Sequence, residues 1–329
     1  MKNLTVTVMI LFFTTVCIAG TGSDALSFLK IKPSARAASL GDGFVALADD
    51  ANAGFYNSAG LAQINSPEVS LMHMAYISDT AYEYGAIAVP VGKNLRLGMY
   101  LIYLDYGAIA KTMETAGVYD PNLSGSFTLN DLAAAVSAGY RLGDGTSIGL
   151  TVKYAVESID TVSISGVMAD AGVMTEIEGV KLGAAVYNLG ADIGADKTPV
   201  YARMGAAGYF SAMTDKDLCL AVGINYVPSG SKTSGSIGAE YTYDSFFTVR
   251  GSYTLGADSD TLNIGAGIKT DILGLTGEVA YNYSLLGDMG SLHRVGLGIK
   301  FEEEIGRKQK TSIGNDNKQR SIRRYYYRR

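Results

Sequence analysis

From Pro67 to Phe301 the sequence alternates apolar and polar side chains in fourteen successive segments: 67–78, 82–91, 95–105, 128–141, 147–159, 164–176, 180–189, 199–212, 217–228, 233–243, 247–256, 260–269, 274–284 and 292–301. Successive side chains of a strand point to opposite faces, so a period of two gives each segment one apolar and one polar face. In 147–159, Ile148, Leu150, Val152, Tyr154 and Val156 share one face, while Ser147, Gly149, Thr151, Lys153 and Glu157 share the other. In 260–269, Leu262, Ile264, Ala266 and Ile268 oppose Thr261, Asn263, Gly265 and Lys269. In 274–284, Leu275, Val279, Tyr281 and Tyr283 oppose Thr276, Glu278 and Asn282.

A soluble sandwich alternates in the same way, so length and connections decide between the two. The segments run ten to fourteen residues. Tilted membrane strands need roughly 9–11, whereas strands of soluble proteins average nearer 5–6. The count is even, as in bacterial single-chain barrels. Every connection after an even-numbered segment is short, Gly92-Lys93-Asn94 and Asp244-Ser245-Phe246 among them. Those after odd-numbered segments vary, and one is long, Tyr106 to Thr128. Short periplasmic turns with longer outer loops are the asymmetry of an outer-membrane barrel. The predicted fold is all-β, a fourteen-stranded antiparallel transmembrane β-barrel over residues 67–301.

The flanks differ from the barrel. Lys2, the apolar run Val6 to Ile18 and the small residues before position 20 predict a signal peptide over 1–19. Residues 302–329 hold nine Lys/Arg and four Asp/Glu, a net of +5 in a chain of net −5. This basic stretch has no alternation and is expected to be a disordered periplasmic tail. The chain has 40 glycines among 329 residues, about 12%, and 22 tyrosines with no tryptophan. Both suit a barrel with a small-residue interior and aromatic rims. With Cys17 in the signal segment, Cys219 is left alone and forms no internal disulfide or cysteine cluster. Two histidines, His73 and His293, do not make a metal set, and no cofactor, catalytic residue or nucleic-acid partner is expected.

Between signal and barrel lies a compact segment, 20–66, rich in Ala, Gly and Ser, which predicts an N-terminal hatch, a plug inside the barrel. It carries Ser34-Ala35-Arg36-Ala37-Ala38-Ser39-Leu40-Gly41-Asp42, Ala46-Leu47-Ala48-Asp49-Asp50, and Asn57-Ser58-Ala59-Gly60-Leu61-Ala62. These pieces resemble the N-terminal region of the PorV/PorQ family of outer-membrane barrels, a branch of the FadL-type superfamily. Ser58 stands where that family usually has proline, and a weaker similarity continues through Asn188-Leu189-Gly190 to the strand ending at Phe301. The resemblance implies an outer-membrane protein of a diderm bacterium that takes part in type IX-like secretion. Its partners would then be lipid, a secretion-channel protein and exported cargo, with affinity from the 106–128 loop. The alternative is a FadL-like channel for fatty acids or other small hydrophobic compounds. In that case the hatch gates an apolar pocket near Phe44, Phe55 and Tyr56, with lateral exit through the wall; Met99, Leu101 and Tyr103 show no proline or bulge signal for an opening.

The candidate site residues are the hatch motif Asn57, Ser58, Ala59 and Gly60, and the charges on the polar parity of the strands. The latter are Arg96, Lys153, Glu157, Glu240, Arg250, Lys269, Glu278 and Arg294, with Lys300 beside them. Charge on the lipid face costs up to ~2–4 kcal/mol at mid-membrane, so these residues are expected to face the lumen, either holding the plug by ion pairs or lining a charged transport path. A three-residue turn at Asp244-Ser245-Phe246 would set Glu240 opposite Arg250; a two-residue turn would match lumen to lipid, which the pleat forbids.

Overall fold

The computed structural model describes residues 24–301, apart from 77–79, 112–113, 116–117, 120–124, 144, 195, 214–216, 257–261, 273–274 and 288–289. The expected signal peptide, 1–19, and basic tail, 302–329, lie outside the described residues. The barrel strands are β1 Glu68–Ala75, β2 Ala81–Pro90, β3 Leu95–Ala110, β4 Ser126–Gly143, β5 Thr146–Ile159, β6 Val162–Ile177 and β7 Val180–Gly190. They continue as β8 Tyr201–Phe210, β9 Leu218–Val227, β10 Lys232–Tyr243, β11 Phe247–Leu255, β12 Leu262–Ile272, β13 Leu275–Leu285 and β14 Ser291–Phe301. Each is antiparallel to its neighbours, and β14 returns to β1 with Glu68 opposite Lys300 and Ala75 opposite His293, which closes the ring.

The alternation sorts the two faces of the wall. On β5 the outward Leu150 and Val152 are 63% and 52% exposed, while Thr151 and Lys153 between them are buried. A wall greasy outside and polar inside is the reverse of a soluble β-protein and matches a lipid-facing barrel. The turn from β10 to β11 has Asp244 and Ser245 in the left-handed region, φ 51° and 56°. Tyr243 pairs with Phe247 and Glu240 with Arg250.

The stretch 106–128 is shorter as a loop than its composition suggests. β3 continues to Ala110 and β4 starts at Ser126, and a two-residue ladder joins Glu114–Thr115 to Val118–Tyr119. The continuation passes a bulge between Asp105 and Ala108, where Gly107 takes φ +71° and donates its N–H to Asp105 Oδ1 at 2.9 Å. A second bulge sets Tyr187 and Asn188 of β7 against the single residue Asp170 of β6. Asn188 there is left-handed, φ 58°, and its N–H donates to Asp170 Oδ1 at 2.7 Å.

Residues 24–66 lie inside the ring. The segment is built of one-turn pieces: 3-10 turns at Ser27–Lys30, Gly41–Gly43 and Ser58–Gln63, and helices α1 Ala35–Leu40, α2 Phe44–Leu47 and α3 Ala53–Tyr56. Ser34 caps α1 by accepting from Ala37 N at 3.3 Å, and Asn57 starts the last turn by accepting from Ala59 N at 3.2 Å. α1 packs on β10 to β14, α2 on β7 to β9, α3 on β3 and β4, and the turn 58–63 on β3 to β6. The chain therefore runs through the lumen. Asp24 bridges Lys197 in the connection after β7, at the long-loop end, and Gln63 and Ile64 reach the short-turn end beside Lys181 and Arg96.

Candidate functional site

Strand glycines bring the segment against the wall. Gly139, Gly149 and Gly172 lie directly opposite one another on β4, β5 and β6; Gly183, Gly205 and Gly223 do so on β7, β8 and β9. The first row receives Asn57 to Leu61, the second Asp42 to Val45, and a Cβ on any of these glycines would overlap atoms of the segment or the wall. A glycine within a strand weakens it, and its use here is the close approach of a second backbone.

The hatch motif is buried as a unit. Asn57 Nδ2 donates to Val45 O at 2.9 Å and to Val173 O on β6 at 3.2 Å, so one side chain ties two parts of the segment to the wall. Ser58 and Ala59 sit on Gly149, and Gly60 lies under Ala48, where a Cβ would have no room. Phe44, Phe55 and Tyr56, expected to line a pocket, are buried and pack edge-to-face on one another. Phe55 also meets Tyr84 and Tyr100 of the wall. These rings are core.

The lumen charges all point inward, and four of them touch the segment. Arg96 Nε donates to Ile64 O at 2.6 Å, Glu157 Oε2 accepts from Leu26 N at 3.2 Å, and Arg294 Nε donates to Lys32 O at 3.2 Å. Glu240 bridges two arginines, Arg250 of the wall at 2.6 Å and Arg36 of α1 at 3.1 Å. Arg36 continues to Asp49 at 2.6 Å and Asp50 at 3.2 Å, while Arg250 continues to Glu278 at 2.5 Å, which reaches Lys269 at 3.6 Å. Burial alone would raise the Asp49 carboxyl, yet the Arg36 guanidinium holds it well below the usual carboxylate range. Lys153 instead serves the β6–β7 bulge, pairing with Asp170 at 2.6 Å and donating to Asn188 Oδ1 at 2.7 Å. Lys300 pairs with Glu68 at 3.0 Å across the closing seam.

Among the groups that escaped the parity reading, two stand out. Arg203, buried on β8, was masked because the opposite face of that strand is only Ala202, Met204, Ala206 and Gly208, which alternate faintly. Its Nε lies 3.0 Å from Asp42 Oδ1, which Lys32 Nζ approaches at 3.4 Å. These residues border a cavity of about 520 Å³ at the long-loop end, between the segment and the inner faces of β8 to β11. A second cavity of about 330 Å³ lies at the short-turn end, beside Gln63, Arg141, Glu176 and Lys181. The other missed group faces outward. His73 Nδ1 and Glu83 Oε1 are 2.6 Å apart on β1 and β2, both half exposed on the wall, and His293 Nδ1 lies 2.7 Å from Tyr281 Oη. Among the described residues no cluster of three or more His, Cys, Asp or Glu could hold a metal ion.

The closed fourteen-stranded antiparallel ring matches the fold of the FadL-type outer-membrane barrels. The toluene transporter TbuX of Ralstonia pickettii aligns with a TM-score of 0.54 and 14% identity, over 77% of this chain and 94% of that one. The toluene transporter TodX of Pseudomonas putida gives 0.55 and 13%, over 75% and 91%. A FadL homologue of Pseudomonas aeruginosa gives 0.51 and 12%, over 77% and 94%. At such identities the likeness is one of fold. No curated relative matches the sequence. The model of the uncharacterised protein family UPF0164 matches residues 19–229, and the chain belongs to that family.

Proposed function

We propose that this chain is a FadL-type channel of the outer membrane of a diderm bacterium, reached after signal-peptide cleavage, and that it admits small hydrophobic compounds by a gated route. The observation that carries the reading is the likeness of fold between this closed fourteen-stranded barrel and structures described as toluene transporters. The segment is the hatch of this reading. It fills the middle of the lumen and leaves a cavity at either end, so passage requires either its displacement or a way through the wall. The test is uptake of radiolabelled toluene by a diderm host that lacks its own hydrocarbon channel. Cells expressing the chain should take up toluene severalfold faster than empty-vector cells, and equal initial rates would overturn the reading.

A second reading, a sealed barrel that hands over exported proteins as the PorV/PorQ resemblance implies, draws support from the outward His73–Glu83 pair. Charge is costly against lipid, and a polar partner surface on that part of the wall would relieve the cost. Mild-detergent purification of the native complex separates the two. A co-purifying protein without bound hydrocarbon or fatty acid favours hand-over, and a bound hydrophobic ligand favours transport.

A further inference from the structure

The cavity at the long-loop end is polar where a pocket for a hydrocarbon is mostly apolar. Only Tyr201 and Val227 bring large apolar groups to its border, and Lys30, Lys32 and Arg203 stand there with Asp24 and Asp42. One cation, Lys30, is paired with Asp24 at 2.8 Å on the rim. Deeper in, Lys32 and Arg203 share the single carboxylate of Asp42.

Arg203 is the centre of the arrangement. It is 4% exposed, its guanidinium lies over the rings of Tyr201 and Tyr187 at 4.9 and 5.5 Å, and its Nη1 has no hydrogen-bond partner within the protein. The register sets Arg203 directly opposite Asn225, and Asn225 opposite Ser234, so their side chains share the inner face at one level. Thr254 Oγ1, beside the cavity, is buried without a partner in the protein, and Asn225 lines the cavity with a side-chain amide whose nitrogen can donate. A planar guanidinium whose Nη1 has no acceptor in the protein, a second cation and amide and hydroxyl groups on the same cavity wall are the chemistry that recognises an oxyanion. The excess of positive charge over Asp42 selects the sign.

We propose that this cavity binds a small polar anion through a phosphate or carboxylate group, with Arg203 as the principal contact and Lys32, Asn225 and Thr254 around it. The site is independent of any hydrophobic route: toluene uptake decides that route and has no bearing on anion binding here.

The test is calorimetric titration of the purified full-length barrel in detergent at low salt, with inorganic phosphate, succinate and toluene as three separate probes. Saturable one-site binding of phosphate, succinate or both is expected, and the pattern tells phosphate from carboxylate. Arg203→Met should weaken it about tenfold or more, the usual loss for a charge-assisted contact. That variant leaves Asp42 short of a partner, so Asn225→Asp is the companion: it supplies Arg203 with an internal carboxylate and should weaken anion binding as strongly in a barrel that still shows heat-modifiable migration. Absence of saturable binding by both anions, unchanged affinity in folded Asn225→Asp, or displacement of the anion by toluene overturns the proposal.

Discussion

Arg36 is the residue on which the N-terminal segment is fastened most heavily, since its guanidinium meets Asp49, Asp50 and Glu240 at once. Removing one member of a buried ion network strands the remaining charges, at a cost of about 3–5 kcal/mol. Asp49 and Asp50 keep some solvent contact, with side chains 23% and 17% exposed, so Arg36→Met should cost about 3 kcal/mol, at the lower end of that range. The readout is a lower thermal midpoint for heat-modifiable migration together with faster proteolysis between α1 and α3. Acid should act on the same fastening. Asp49 is held below the ordinary carboxylate value of ~3.9, so its contribution is fully present above about pH 4 and is lost as the pH falls through the depressed folded value. Proteolysis of the segment should therefore be flat between pH 8 and 5 and rise only below about pH 4; a rise near pH 6 would point to another group. At this scale the sequence was half legible. Glu240 and Arg250 could be paired on paper because the pleat and a three-residue turn allow one register. Arg36 could not be added, because it sits on a one-turn helix with no periodicity and meets Glu240 from 204 residues away.

The strands were legible as elements because a membrane wall needs long, strictly alternating segments, and most observed ends fall within about two residues of the alternation. β3 and β4 outran it: their outer ends project past a bulge, where both faces are exposed and alternation has no work to do. The path of the N-terminal segment was illegible for the opposite reason. Its pieces are four to six residues long apart from the Gly41–Gly43 turn, too short for a helical period, and their placement is written in glycines about 80 to 180 residues further along the chain. Those glycines were visible in the sequence as an interior of small residues, with no sign of what pressed on them. Gly139→Ala tests the fit. Its Cβ would stand 2.6 Å from Ser58 O and 2.7 Å from Leu61 Cβ, so the turn 58–63 must shift. Overpacking of this kind costs about 1–3 kcal/mol, and the midpoint should fall accordingly while strand content by circular dichroism is unchanged. Gly98→Ala, where the nearest atoms are the flexible Leu61 methyls at 3.2 Å, should cost less.

For the molecule as a whole, the last hydrogen bonds among the described residues are those of β14, where Phe301 N donates to Pro67 O at 2.9 Å beside the seam with β1. A chain truncated after Phe301 should insert and migrate as a folded, heat-modifiable barrel; loss of assembly would place part of 302–329 within the fold. The cation-lined cavity was the least legible feature of all. It is assembled from residues of the N-terminal segment and of four strands, and its key arginine lies on the one strand whose outward face is nearly all small residues.

The two rows of glycines also have a bearing on biogenesis. A segment seated against strands from β3 round to β14 cannot be threaded into a finished cylinder through a mouth already narrowed by the side chains it contacts. Residues 24–66 are therefore expected to take their place before the seam between β1 and β14 closes. A chain shorn of residues 24–66 would lose the surface against which both rows of glycines pack.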